Sequence, residues 1–210
     1  MQSEKSAIKQ VPAIPAPLAR RTIEQHRSRL CESDLNLLSM VLSDPLEYIE
    51  HDLFAKQNIE TILFGGPAVR RPGHTRFNEC FADEFDFSNL TEEDSLTTAQ
   101  EILLFQRYNY ARMRLMQVVE RLDGDVPFEF ICELLSWAHR AMDARGQMAR
   151  CNLPLVLAMA KRTRLNGLDF NELISEGNFA LLRSVDKFDC ARGFKFSTYA
   201  CRAKIGRAHV

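Results

Sequence analysis

The chain has 210 residues, of which 46% are hydrophobic and 26% charged, proportions ordinary for a soluble globular protein. No apolar run approaches the roughly 20 residues that span a bilayer, and the amino terminus lacks the apolar core of a secretory signal. The net charge of −1 conceals an asymmetry, because residues 36–148 are acidic whereas residues 149–204 carry ten Lys/Arg against five Asp/Glu. This basic part indicates a polyanionic partner; the alternative is that its cations only solvate helix faces.

The cysteines and histidines argue against a metal site. The six cysteines are widely scattered and form no CxxC pair, and His51, His74 and His139 stand alone. We therefore expect reduced cysteines in a cytoplasmic protein, with no metal and no cofactor. The sequence also contains no glycine-rich phosphate loop and no convincing nucleophile–base pair, so an enzyme is not predicted.

The first ninety residues show little helical periodicity. Residues 1–34 mix proline, alanine and cations and are predicted to be a mobile basic tail. Residues 35–90 are predicted to be an extension of short helices and loops. Within it, ESDLNLLSMVLSDP indicates a short amphipathic helix that Pro45 ends. Residues 64–79 read as a linker and residues 83–95 as an acidic, loosely structured stretch.

Regular helical structure is predicted from residue 91 onward. Within residues 91–148, LTTAQEILLFQRYNYARMRLMQVVERL predicts a long helix capped near Thr97 or Thr98, and DGDVP predicts a turn before a helical spacer. Pro154 either kinks one helix or marks a new helix capped by Asn152. No strand is predicted, and the fold class is all-α.

The segment DFNELISEGNFALLRSVDKF predicts a helix with two different faces. Asp169 and Glu172 have capping-box spacing. One face holds a core stripe of Phe170, Leu173, Ile174, Gly177 and Leu181. The opposite face holds Glu172, Ser175, Glu176 and Phe179, with Asn178 and Leu182 at its edge. Acids around exposed apolar residues indicate a protein-docking surface; the alternative is a solvated face with two incidental apolar residues.

Rings and cations are dense in RGFKFSTYA, residues 192–200. Phe196 and Tyr199 lie about one helical turn apart, and Gly193 frees the backbone before them. Aromatic rings stack on unpaired bases and cations track phosphates, so the stretch favours single-stranded nucleic acid. The alternative is that the rings of Phe194, Phe196 and Tyr199 belong to the core.

Residues 152–200, NLPLVLAMAKRTRLNGLDFNELISEGNFALLRSVDKFDCARGFKFSTYA, resemble the second region of the bacterial sigma-70 family almost throughout and without insertions. The upstream helix LTTAQEILLFQRYNYARMRL is similar to the segment that precedes this region, and the intervening residues correspond to a variable spacer. The resemblance implies a helical bundle of the second-region type, with a long preceding helix and a partly disordered N-terminal extension.

The resemblance also implies function and partners. The protein would be a transcription initiation subunit whose residues 149–204 bind core RNA polymerase and the melted non-template strand of the −10 promoter element; an anti-sigma protein is a further candidate partner. Docking on the coiled coil of the largest polymerase subunit would use Glu172, Ser175, Glu176, Asn178 and Leu182. The pocket for a flipped adenine corresponds to Phe188, Asp189, Arg192, Thr198 and Tyr199. Phe194 and Phe196, beside Lys195, would continue the strand-facing surface; Asn152 and Ser197 match a second base pocket, and Lys161 and Arg162 match backbone contacts.

Several positions depart from the family pattern. Ser175 and Glu172 replace the usual Gln and Asp, Pro154 replaces an Arg, and Arg202-Ala203 replace a tryptophan pair that stacks at the edge of the melted region. Losing that aromatic wedge puts efficient melting in doubt. The family's third region and its helix-turn-helix are absent, and IGRAHV resembles the translation of a sequencing adapter. We therefore expect an N-terminal fragment of a truncated gene, with residues 205–210 as a non-native tail; the alternative is a genuine short protein.

The same residues also fit a second function. A helical interaction protein that occupies polymerase without recognising a promoter would need the Glu172/Glu176 face but not a ring surface for DNA. Binding of single-stranded DNA discriminates between the two functions.

Overall fold

The structure, a computed structural model, describes residues 7–65, 96–163 and 169–202, without the side chains of residues 162 and 163. Within these ranges the predicted all-α class is confirmed. The elements are β1 (Ile8–Val11), α1 (Ala16–His26), α2 (Glu32–Ser43), β2 (Leu46–Ile49), α3 (Ile59–Phe64), α4 (Thr98–Val119), α5 (Phe128–Thr163), α6 (Phe170–Lys187) and α7 (Phe196–Arg202), with short 3-10 turns at residues 27–29, 52–55 and 190–192.

The described residues form two compact units. The amino-terminal unit comprises residues 7–65 and 106–142, and the carboxyl-terminal unit comprises residues 96–105, 143–163 and 169–202. Helices α4 and α5 each contribute residues to both units. No helix in the described ranges is long and apolar enough to span a bilayer, and no group of potential metal ligands occurs there.

The start of α4 follows its sequence signal closely. Thr97 Oγ1 accepts the backbone N–H of Gln100 at 3.3 Å, and Gln100 Oε1 accepts the backbone N–H of Thr97 at 2.9 Å. This reciprocal pair satisfies donors that the first helical turn leaves without partners. The predicted cap near Thr97 or Thr98 is therefore confirmed.

Helix α5 passes through Pro154 without ending. The buried Asn152 does not cap a new helix, because its Nδ2 donates to the Met148 carbonyl, one turn back in the same helix, at 2.8 Å. Proline lacks the N–H that would bond the Arg150 carbonyl, so α5 continues without that one hydrogen bond. Of the two predicted alternatives, the new helix at Asn152 is wrong.

The amino-terminal unit contains structure that the sequence did not reveal. Strands β1 and β2 pair antiparallel, with Ile8 opposite Ile49, and the Ile49 N–H donates to Asn109 Oδ1 of α4 at 2.9 Å. Helix α1 starts with a proline in its first turn, and buried His26 pairs through Nε2 with the Val126 carbonyl at 2.8 Å.

The prediction that residues 1–34 are a mobile tail is therefore corrected for residues 8–34, and the prediction of no strand is corrected as well. Helix α1 and the β1–β2 pair depend on contacts with residues distant in the chain, so the local sequence gives little indication of them. Residues 1–6 lie outside the described ranges. The predicted helix in ESDLNLLSMVLSDP is confirmed as α2, with Leu38 and Leu42 fully buried.

The carboxyl-terminal unit has an aromatic core. The rings of Phe105 in α4, Phe188 and Phe196 pack together, with centroids 4.6 to 5.3 Å apart. Arg145 of α5 donates two hydrogen bonds to Asp186 of α6, at 2.8 and 2.7 Å. These contacts fix the carboxyl end of α6, from which the candidate site continues. The predicted acidic stretch and most of the predicted linker lie outside the described ranges.

Candidate nucleic-acid interface

A short turn joins α6 to α7, and Asp189 stabilises this turn. Its Oδ1 accepts the Ala191 N–H at 3.0 Å, and its Oδ2 accepts Arg192 Nε at 3.2 Å. Gly193 follows with a φ of +73°, a left-handed conformation that side chains with a Cβ rarely adopt. The short helix α7 then begins at Phe196.

A pocket of about 250 Å³ opens beside this turn. It is below the range of about 300–1,000 Å³ typical of sites for drug-sized ligands, which suits a group the size of one base. The pocket brings together all five residues predicted for the flipped-base site and adds three others. Its lining consists of Lys187, Phe188, Asp189, Arg192, Phe194, Thr198, Tyr199 and Arg202.

The three aromatic side chains of the pocket differ in exposure. Phe194 is 61% exposed and offers a free ring face, while Tyr199 is half-buried. Phe188 is only 3% exposed and packs on Tyr199 with centroids 5.3 Å apart. Phe188 therefore supports the pocket wall, whereas Phe194 and Tyr199 are the rings available for stacking.

Phe196 does not belong to this surface. Its side chain is fully buried against Phe105 and Phe188, with both pairs of centroids 5.3 Å apart, and its N–H donates to Glu101 Oε2 at 3.4 Å. A ring without exposed area cannot stack on a base. The prediction that Phe196 continues the strand-facing surface is wrong, and for this ring the core alternative holds.

The pocket is rimmed by cations. Lys187, Arg192 and Arg202 line it, Asp189 is the single acid among the described lining residues, and that acid already engages Arg192. Next to it, burial and the Asp189 carboxylate raise the pKa of the Cys190 thiol to about 11. The thiol is therefore protonated at neutral pH and adds no negative charge to the rim.

Of the remaining predicted DNA-contact residues, those whose side chains the structure describes do not line this pocket. Lys195 is exposed on the loop before α7, Lys161 is exposed near the end of α5, and Ser197 is half-buried. Asn152 is 9% exposed and its amide is engaged within α5. The side chain of Arg162 lies outside the described part of the chain.

The second candidate surface lies on α6. Glu172, Ser175 and Glu176 are exposed, and Phe179 is 60% exposed among them. Asn178 and Leu182 are half-buried at the edge of this face. Helix α6 begins after Asp169 as predicted, although the Asp169 side chain makes no capping hydrogen bond. The sequence thus predicted the acidic face with an exposed ring, and the structure places it on the solvent side of α6.

Sequence reasoning missed Lys187 and Arg202 as pocket residues. Arg202 lies four positions after Thr198, so helical spacing put the two on one face of α7, and Lys187 directly precedes Phe188. It also missed Phe105 and Glu101, which support Phe196 from a segment more than eighty residues upstream; no local signal marks such a distant contact.

Comparison with known proteins gives concordant matches. The Sigma-70 region 2 family matches residues 148–208. "RNA polymerase sigma factor RpoD" of Helicobacter pylori is 35% identical over 120 residues, which are 55% of this chain and 18% of that protein. "RNA polymerase principal sigma factor HrdC" of Streptomyces coelicolor is 52% identical over 62 residues, which are 30% of this chain and 18% of that protein. The chain thus spans about a fifth of the length of these relatives.

Proposed function

We propose that the chain acts in transcription initiation, because its residues 148–208 match the Sigma-70 region 2 family. In this proposal the exposed face of α6 binds core RNA polymerase, and the pocket between α6 and α7 receives an unpaired base of the melted −10 promoter element.

One observation carries the DNA part of the proposal. Phe188, Asp189, Arg192, Thr198 and Tyr199 converge on one pocket of about 250 Å³, beside the exposed ring of Phe194. Stacking on such rings contributes about 1–3 kcal/mol per base and requires that the base is unpaired. Duplex DNA conceals its base faces, so the pocket favours a strand that has already separated.

The polymerase part rests on α6. Glu172 and Glu176 are solvent-exposed one turn apart, and the exposed ring of Phe179 lies next to them. An apolar anchor bordered by charges is a common arrangement in protein interfaces. The coiled coil of the largest polymerase subunit is the proposed contact.

Co-elution with core polymerase tests the docking face. The chain is mixed with bacterial core RNA polymerase and separated by size-exclusion chromatography, alongside Glu176→Arg. Glu24→Arg is the matched control, because Glu24 is an exposed glutamate on α1 with 73% of its side chain accessible. We expect co-elution of the wild type and the control but not of Glu176→Arg. Equal co-elution of all three would contradict the assignment of the face.

Fluorescence anisotropy with a labelled single-stranded oligonucleotide tests the pocket. The probe carries the −10 hexamer of a bacterial promoter, and the polymerase complex is the sample. Phe194→Ala combined with Tyr199→Ala should weaken probe binding at least tenfold, on the order of one lost stacking contact. If the polymerase complex does not bind the probe, with or without the substitutions, the result would instead support an interaction protein that occupies polymerase without promoter recognition.

A further inference from the structure

Arg202 stands in a position where the resemblance expects an aromatic residue, yet it lines the same pocket as Thr198 and Tyr199. The three residues share one face of α7, because they are spaced by three or four positions. The pocket therefore gains a guanidinium where it lacks the expected ring.

The three cations of the rim differ in how they are engaged. Arg192 donates to Asp189 at 3.2 Å, so part of its charge is already compensated. Lys187 and Arg202 are exposed, and within the described ranges neither has an ion-pair partner. Two uncompensated cations on the rim of a base-sized pocket form an environment for a phosphate next to the bound base.

We propose that Arg202, together with Lys187, binds a backbone phosphate adjacent to the base held in the pocket, so that contact with the strand here is electrostatic instead of aromatic. The proposal rests on the proposed function, since it concerns the same pocket. The guanidinium presents a planar set of donors that matches two phosphate oxygens, and it carries its charge at any physiological pH. The ligand is thus a single-stranded nucleotide with its phosphate, not an isolated base.

Salt dependence measures this contact. The polymerase complex of the full chain is titrated with the labelled single-stranded oligonucleotide at several NaCl concentrations. Each phosphate contact on a single strand contributes about 0.7 to the slope of log K against log salt. We expect Arg202→Gln to weaken binding about two- to fivefold, the range for an exposed ion pair, and to reduce the slope by about 0.7. Arg20→Gln, a matched change of an exposed arginine on α1, should leave both values unchanged.

A phosphate scan locates the partner atom. Single phosphates of the oligonucleotide are replaced in turn by uncharged methylphosphonates. At one position the replacement should weaken binding of the wild type but cause no further loss with Arg202→Gln. Arg202→Lys should retain most of the slope, because it keeps the charge.

The outcomes separate the two levels of the proposal. If Arg202→Gln changes neither slope nor affinity while the Phe194/Tyr199 double variant loses the probe, the phosphate contact is refuted and the proposed function stands. If Arg202→Lys loses as much as Arg202→Gln with an unchanged slope, the guanidinium stacks on a base and the phosphate assignment is likewise refuted. A wild-type complex that does not bind the oligonucleotide refutes both the contact and the DNA-binding function.

Discussion

Phe194 and Phe196 are two positions apart and have opposite environments. Phe194 is 61% exposed and lines the pocket, whereas Phe196 is fully buried against Phe105 and Phe188. Both lie in the same cluster of rings in the sequence, and spacing cannot tell which ring faces inward until the start of α7 is known. Most residues of the site were therefore predictable from the sequence, but which ring is exposed and which is buried was not.

This contrast predicts separable effects of the two substitutions. Phe196→Ala should lower the free energy of unfolding by about 3–5 kcal/mol, because it removes a buried ring and leaves a cavity. Phe194→Ala should change it by less than about 0.5 kcal/mol and should instead weaken binding of single-stranded DNA. Urea titration followed by circular dichroism gives the first quantity and anisotropy gives the second. Equal stability of the two variants would contradict the burial of Phe196.

The Cys190 thiol should be protected from alkylation at neutral pH. Its pKa of about 11 lies above the usual value of 9.0, because burial and Asp189 disfavour the thiolate, and only the thiolate reacts. Iodoacetamide at pH 7.5 should therefore modify the exposed Cys31 and Cys201 first, and the rate at Cys190 should rise about tenfold per pH unit below its pKa. Peptide mass spectrometry reads out each site, with urea-unfolded protein as the control. Equal rates at Cys190 in folded and unfolded protein would show that the thiol is not shielded.

At the scale of elements, helices with a local signal were predictable and contacts between distant segments were not. The capping pair of Thr97 and Gln100 marked the start of α4, and the apolar spacing around Leu38 marked α2. The pairing of β1 with β2 joins residues 35 to 41 positions apart, and neither strand shows a clear alternation of apolar and polar residues. The two strands form because of tertiary contacts, whereas the local sequence pattern was sufficient to predict α2 and α4.

The pair Arg145–Asp186 is expected to anchor α6 on α5. Its two hydrogen bonds are formed by side chains that are each 23% exposed, so water screens them only in part. A double-mutant cycle with Arg145→Ala and Asp186→Ala should give a coupling free energy of about 1 kcal/mol or more. The same cycle on Arg27 and Glu24, which are 68% and 73% exposed, should give about 0.2–0.5 kcal/mol. Equal coupling free energies in both cycles would mean that the Arg145–Asp186 pair contributes no more than an exposed ion pair.

Pro154 is expected to destabilise α5. A proline inside a helix costs up to about 3 kcal/mol relative to alanine, and part of this returns through the lower entropy of the unfolded chain. Pro154→Ala should therefore raise the free energy of unfolding by about 1–2 kcal/mol, as measured by thermal or urea denaturation. Pro127→Ala, just before the first residue of α5, is the control and should be neutral or slightly destabilising. A loss of stability in Pro154→Ala would contradict a destabilising effect of Pro154 on α5.

At the scale of the whole molecule, α4 and α5 each run through both compact units. A helix is cooperative along its length, so melting one half weakens the remaining half. The chain has a single tryptophan, Trp137, whose ring packs on Phe64 and Tyr110 in the amino-terminal unit. Its fluorescence therefore reports directly on the unfolding of the amino-terminal unit.

Destabilisation of the carboxyl-terminal unit should therefore also lower the urea midpoint that Trp137 fluorescence follows. We expect Phe196→Ala to lower the urea midpoint followed by Trp137 fluorescence together with the midpoint followed by circular dichroism, because α4 carries both Phe105 and Tyr110. Phe194→Ala, an exposed ring of the same unit, is the control and should shift neither midpoint. If Phe196→Ala lowers the circular dichroism midpoint and leaves the Trp137 transition in place, the two units unfold independently. The shared helices would then connect the two units without coupling their stabilities, and the proposed polymerase and DNA surfaces of the carboxyl-terminal unit would act without support from the rest of the chain.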